Sequence, residues 1–336
     1  MIGRPAALAA LPDSYGPLFD RAAAVFEADE RVRAMWLHGA LARGQADAAS
    51  DMDISLAIAD DGFDGFAASW RDWLAAITPT LTARPLAAGS FYALTPACER
   101  FDVIAEPVGK LPATSLTRRL VVFDRDGLDK LIPPPADPPP DPAVITYLIE
   151  ETLRQAANFP AVLVRDDWLL GVIAVQQVQL FLYQLFAESN KPAPPTGPKQ
   201  WSFKLTSAQR QVLSGLPAAG PSPDSVLAAR EATFAAFFRA APPIAARHGI
   251  PWPSRLEQAV RAYLRDQGVP LPDTPAPPTS LLPSDRLGRP AQRRGCRSDV
   301  VAATLRLSPP SGSRHQACCH AGVEQRWSLQ HRKPQG

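Results

Sequence analysis

Apolar residues recur along the first 130 or so positions with two different periods. In "YGPLFDRAAAVFEADERV", Leu18, Ala22, Val25 and Phe26 fall on one face at helical spacing, so a helix is expected there. "VRAMWLHGA" reads as a strand ending at Gly39, "ALARGQA" as a short turn or helix, and "DMDISLAIA" as a second strand. "FDGFAASWRDWLAAI" sets Phe66, Trp70, Trp73 and Leu74 on one helical face, and "GSFYALTP", "RFDVIAEP" and "RRLVVFD" read as three more strands. Strands interleaved with helices predict a sheet domain of the α/β or α+β kind.

From Ala143 to about Asp266 the period is helical throughout. "AVITYLIEETLRQAANF", "RDDWLLGVIAVQQVQLFLYQLFAES", "SAQRQVLSGL", "SVLAAREATFAAFFRAAPPIAARHG" and "RLEQAVRAYLRDQG" are separated by Pro and Gly punctuation, which predicts a helical bundle. Between the halves, "IPPPADPPPDP" (Ile132 to Pro142) excludes helix and sheet interior and reads as a stiff, extended linker. After Pro270 come repeated prolines, then Arg, Ser and Gly without periodicity. The expected organisation is an α+β, mixed-sheet domain over 1–131, a linker over 132–142, an all-α bundle over 143–268, and a disordered basic tail over 269–336.

Composition refines this picture in three places. The 336 residues carry a net charge of only +2, but from Leu281 onward ten basic residues face three acidic ones. The tail is therefore +7 and the preceding part −5, so the folded part offers no basic footprint for nucleic acid. Cys98, Cys296, Cys318 and Cys319 form no disulfide framework, and "CCH" lacks the second ligand pair of a zinc site. The apolar run Trp168 to Phe186 contains Gln176, Gln177, Gln179 and Gln184, which fits a buried helix better than a membrane span. No secretory signal is visible, and the expected location is the cytoplasm, with no membrane partner.

The candidate chemistry lies in "DMDISLAI". Side chains alternate along a strand, so Asp51 and Asp53 share one face while Met52, Ile54, Leu56 and Ile58 share the other. Two neighbouring carboxylates repel unless a cation holds both ionised. A solvated strand end is one reading; a hard divalent ion such as Mg²⁺, leaving positions open for phosphate oxygens, is the other. In "RFDVIAEP", Asp102, Ile104 and Glu106 share a face opposite Phe101, Val103 and Ala105. Gly39 and Gly44 flank a turn where backbone N–H groups can approach phosphates. Three carboxylates beside a glycine turn suit metal-assisted nucleotidyl transfer.

The stretch "WLHGA", ten residues from Leu41 to Ser50, then "DMDI", with "FDVI" later, resembles the nucleotidyltransferase superfamily, in particular its antibiotic-type adenylyltransferases. "VVFDRDG" and "RDDWLLGVI" add to the likeness, which does not extend past about Gly268. The resemblance implies a mixed-sheet nucleotidyltransferase domain that uses Mg²⁺ and ATP. It implies that Asp51 and Asp53 bind the metal and that Asp102 is a further metal ligand or the base for an acceptor hydroxyl. Gly39 and Ala40 would meet the triphosphate through backbone N–H groups. Arg43 would either reach it or stay solvated, and Ser50 would shape the aspartate turn. Ala40 departs from the family, which usually has Ser there. Glu106 is either a strand-end surface acid or an alternative base, and His38 a packed strand-end residue. Lys199 and Lys204 are candidates for nucleotide contact, and the glutamines either line an acceptor pocket or a helix face. The implied acceptor is a small molecule such as an aminoglycoside. The alternatives are a protein or RNA acceptor, or a catalytically weak nucleotide-binding regulator.

Overall fold

The computed structural model describes residues 2–87, 89–192 and 200–273. Lys199, the three later cysteines and the expected tail beyond residue 273 lie outside the described residues. The described chain is α+β and forms two compact units, one up to Pro135 and one from Ala136.

In the first unit, α1 (Tyr15–Ala28), β1 (Val32–Leu37), the single turn α2 (Gly39–Ala42) and β2 (Met52–Ile58) lead into α3 (Phe63–Ala68) and α4 (Trp70–Ile77). The strands β3 (Thr82–Ala87), β4 (Ser90–Leu94), β5 (Arg100–Pro107) and β6 (Leu120–Asp124) complete a six-stranded sheet of order β3-β4-β5-β2-β1-β6. Among the described residues only β2 and β5 pair in parallel, because the chain crosses over between them through two helices and the β3–β4 hairpin.

Alternation decides what each sheet face meets. Met35, Leu37, Ile54, Leu56, Phe101 and Val103 are buried on the face that shares its core with the aromatic residues of α1, α3 and α4. The opposite face carries Ala34, Trp36 and Ala57 beneath Leu111, Leu128 and Ile132, which come from short 3-10 turns and the chain just after them. Trp36 donates from Nε1 to Asp129 Oδ1 at 3.0 Å, so its buried N–H is satisfied. This second cover is small, and it leaves the acidic end of β2 and β5 half-buried.

Two local features depart from the sequence reading. β3 was not expected; Pro85 lies within it, and an edge strand tolerates a residue with no N–H to donate. The helix expected over 63–77 breaks at Ser69, where φ is −85° and ψ is 17°. The Phe66 carbonyl freed by the break accepts from Ser69 Oγ at 3.1 Å and from Trp73 Nε1 at 3.3 Å.

The second unit contains α5 (Pro142–Asn158), α6 (Pro160–Arg165), α7 (Trp168–Ser189), α8 (Ser207–Ser214), α9 (Pro223–Arg247) and α10 (Ser254–Asp266). Asp141 caps α5 by accepting from Ala143 N, with Pro142 at the first helical position, where its missing N–H costs nothing. α6 falls between the segments whose periodicity predicts α5 and α7, and the second of those segments begins at Arg165 rather than at Trp168. Asp166 ends α6 in the left-handed region, and Asp167 is the N-cap of α7, accepting from Leu170 N. By length and composition α7 could cross a membrane, yet Val175, Val178, Leu182 and Leu185 are buried in the core of this unit. Gln179 donates to Thr233 Oγ1 of α9, so one glutamine of the cluster ties two helices together. Val269 and Leu271, expected in the tail, are buried against the helices. Arg230 donates to the Val269 and Pro270 carbonyls.

Ile54 is fully buried in the strand that carries Asp53. Ile54→Ala should cost about 2–5 kcal/mol. Thermal unfolding is expected to show a clear fall in Tm, and an unchanged Tm would contradict the packing described.

Candidate active site

The site begins where β1 ends. Gly39 adopts φ +63° and opens α2, and Gly44 at φ +66° lets the chain leave it. The backbone N–H of His38 donates to the Asp53 carbonyl at 3.0 Å, which ties the turn to β2. An ideal Cβ on Gly39 would lie 1.7 Å from Asp53 Oδ2. The glycine thus serves twice, for its positive φ and for the space that the Asp53 carboxylate fills.

β2 and β5 then bring two carboxylates together. Their parallel register sets Asp53 opposite Asp102, at a strand separation of about 4.8 Å. Tyr92 of β4 is the register partner of Asp102 on its other side. Asp51 immediately precedes β2, and period two places it on the same face as Asp53. All three aspartates are half-buried.

Cations face this group. Arg43, one residue past α2, is half-buried. Its pKa is lowered first by burial and also by Arg118, while Asp53 and Asp51 act in the opposite direction. Arg43 Nε is buried without a hydrogen-bond partner. His38 is buried beside these groups, and burial pushes its pKa down to about 4, so the ring is neutral at pH 7. Its Nε2 also has no partner.

The remaining expected residues are placed as follows. Ala40 lies in α2, half-buried and outside the hydrophobic core. Ser50 Oγ donates to Asp47 Oδ1 at 2.9 Å and accepts from Asp47 N at 3.0 Å, so it shapes the loop leading to Asp51. Glu106 is opposite Ala57, about 13 Å along the strand from Asp102, and accepts from Thr114 Oγ1 at 2.7 Å. It stands apart from the aspartate group. Lys204 closes a 3-10 turn in the second unit. Arg118 was missed altogether, and its only sequence signal is a basic pair just before β6.

The donor set is carboxylate oxygen, which suits a hard cation. Among the described residues, no group of three or more His, Cys, Asp or Glu side chains is already gathered to hold a metal ion. Mg²⁺ does not require such a cage, since it is commonly held by one or two carboxylates together with water and substrate phosphates. The aspartates fit that mode, and the space Gly39 leaves free is the one the Asp53 carboxylate occupies.

No family model matches the chain, and no curated protein does. Among solved structures the chain is similar to an aminoglycoside 6-adenyltransferase from Bacillus subtilis, at 15% identity. That match covers 75% of this chain and 97% of the other, with a TM-score of 0.37. A likeness of that degree says nothing about the site, whose residues stand on their own geometry.

Two measurements probe that geometry. A Cβ at Gly44 meets nothing within 4 Å, whereas at Gly39 it collides with Asp53, and both glycines have positive φ. Gly44→Ala should therefore cost only backbone strain, about 1–2 kcal/mol. Gly39→Ala should lower Tm further, and equal losses in the two variants would argue against the close approach. The second measurement uses His38, whose pKa falls from 6.5 to about 4 on folding. Between those values the unfolded chain takes up a proton that the folded chain refuses, so stability drops as pH falls from 6.5 toward 4. Tm measured against pH should show a shallower slope across this window in His38→Gln.

Proposed function

We propose that the chain is a Mg²⁺-dependent nucleotidyltransferase that transfers AMP from ATP to a hydroxyl of a small-molecule acceptor. The observation that carries this reading is the register of Asp53 with Asp102, beside Asp51 and beneath the glycine turn. Asp51 and Asp53 would hold the ion, with Asp102 beside them as a further ligand or as the proton acceptor. Bound Mg²⁺ would supply charge neutralisation for the phosphate oxygens. The backbone of Gly39 and Ala40 would face the triphosphate, and Arg43 would add a guanidinium to it. In the transfer, the acceptor hydroxyl oxygen bonds to the α-phosphorus, the bond from that phosphorus to the β-bridging oxygen breaks, and pyrophosphate leaves. If Asp102 is the base, its carboxylate takes the hydroxyl proton.

A cationic acceptor such as an aminoglycoside suits the −5 charge of the part before Leu281. A cytoplasmic location would supply both ATP and Mg²⁺. The test is calorimetric titration of Mg·ATP into the wild type, Asp51→Asn and Asp53→Asn, alongside incubation with labelled ATP and an aminoglycoside and lincosamide panel. Affinity should fall by about tenfold or more in Asp53→Asn. One panel compound should gain the mass of one AMP. Unchanged Mg·ATP affinity in both aspartate variants would remove the assignment.

A further inference from the structure

β2 and its pairing with β5 both begin at Met52, so Asp51 is placed by the loop before the strand and not by the ladder. Part of that loop is tied to itself. Ser50 Oγ and Asp47 bind each other, and Ala49 N donates to Asp47 Oδ1 at 3.0 Å. Another bond ties the loop to the sheet: Arg100 Nη2 donates to the Ala49 carbonyl at 2.5 Å, two residues before Asp51. Arg100 is the first residue of β5, one position before the pairing with β2 starts. Its backbone is secured from α1. Tyr15 Oη accepts from Arg100 N at 2.9 Å and donates to the Arg100 carbonyl at 3.3 Å. Tyr15 is itself buried in the core of the first unit. Burial raises its pKa, so the hydroxyl keeps the proton it donates. A buried phenol thus anchors the Arg100 backbone, and the Arg100 side chain anchors the loop that delivers Asp51. Arg100 and Asp102 are two apart in β5, so they share a face of the sheet. The Arg100 charge therefore opposes a divalent cation held at that face. Any support that Arg100 lends to metal binding must come through the bond to Ala49.

We infer that Arg100 and Tyr15 are positioning residues that hold the 49–51 segment against β5 and so set how tightly Asp51 and Asp53 together bind a divalent cation. The inference rests on the proposed function, which assigns both aspartates to the metal. Asp53 lies within the ladder, whereas Asp51 depends on its loop. A metal held by both needs both in place at once, and a loop that had to be ordered on binding would weaken it. Groups behind the direct ligands commonly change metal affinity by about 10–100-fold in this way.

The test uses the full chain and two probes. Mn²⁺ alone, which suits carboxylate ligands as Mg²⁺ does, is followed by the electron paramagnetic resonance signal of the free ion, and Mg·ATP is titrated calorimetrically. The proteins are the wild type, Arg100→Ala, Arg100→Gln, Tyr15→Phe, Asp51→Asn and the double variant Asp51→Asn with Arg100→Ala. Arg100→Ala should weaken binding of both probes by about tenfold. Arg100→Gln should recover part of the loss, since it keeps a donor for the Ala49 carbonyl and drops the charge. Tyr15→Phe, which removes only the hydroxyl, should weaken both by about threefold. In the Asp51→Asn background, Arg100→Ala should change affinity by no more than about twofold, because residues that act as one unit are not additive. Unchanged or tighter Mn²⁺ binding in Arg100→Ala would mean that only its charge is felt, and would overturn the inference. So would an equal loss with and without Asp51, or a loss confined to Mg·ATP, which would make Arg100 a phosphate contact. All of these leave the metal assignment standing. If the wild type binds neither probe, the reading beneath the inference fails as well.

Discussion

The parallel pairing of β2 with β5 sets Asp53 directly against Asp102, and much of the first unit is organised around holding that pair in place. Unit charges at strand spacing repel by about 1–4 kcal/mol, depending on how much water screens them. The strands cannot slip to relieve this. A shift of one residue would turn Ile54, Leu56, Phe101 and Val103 out of the core and the aspartates into it. Hydrophobic burial on one face thus fixes two neighbouring carboxylates on the other.

The backbone around the pair is equally constrained. The turn after β1 must approach β2 closely enough for the Asp53 carboxylate to occupy the place of a side chain, which only glycine allows. The loop that follows is tied by Asp47 to Ser50 and by Arg100 to the Ala49 carbonyl, so Asp51 is delivered by an anchored segment. Preorganisation of this kind lowers the cost of assembling charged groups around a substrate.

The second unit is built on other terms. Its central helix α7 is apolar enough to resemble a membrane span, yet it is the core element around which α5 and α9 pack. Polar side chains tie its helices together, as Gln179 with Thr233 and Asn190 with Gln209, although Arg230 Nε and His248 Nε2 are buried without a hydrogen-bond partner. Arg230 lies over the rings of Phe159 and Phe234 while donating to the chain at Val269 and Pro270. Burial lowers its pKa to about 10, so the guanidinium stays charged at neutral pH and holds that segment down.

The sequence by itself determined which residues face which way. Alternation in "DMDISLAI" and "RFDVIAEP" separated the aspartates from the core residues, and helical spacing marked the second half as all-α. These are local properties, set by the geometry of one strand or one helix. Only the tertiary structure decided which residues stand opposite one another. Alternation gives a face but no register, so the match of Asp53 with Asp102 depends on the crossover and on how the two strands share one core. The break at Ser69 and the edge strand with Pro85 likewise follow from packing, which overrides local propensity. Arg118 was invisible for the same reason. One of two adjacent arginines became a structural ion-pair partner and the other a neighbour of Arg43, and only the fold distinguishes them.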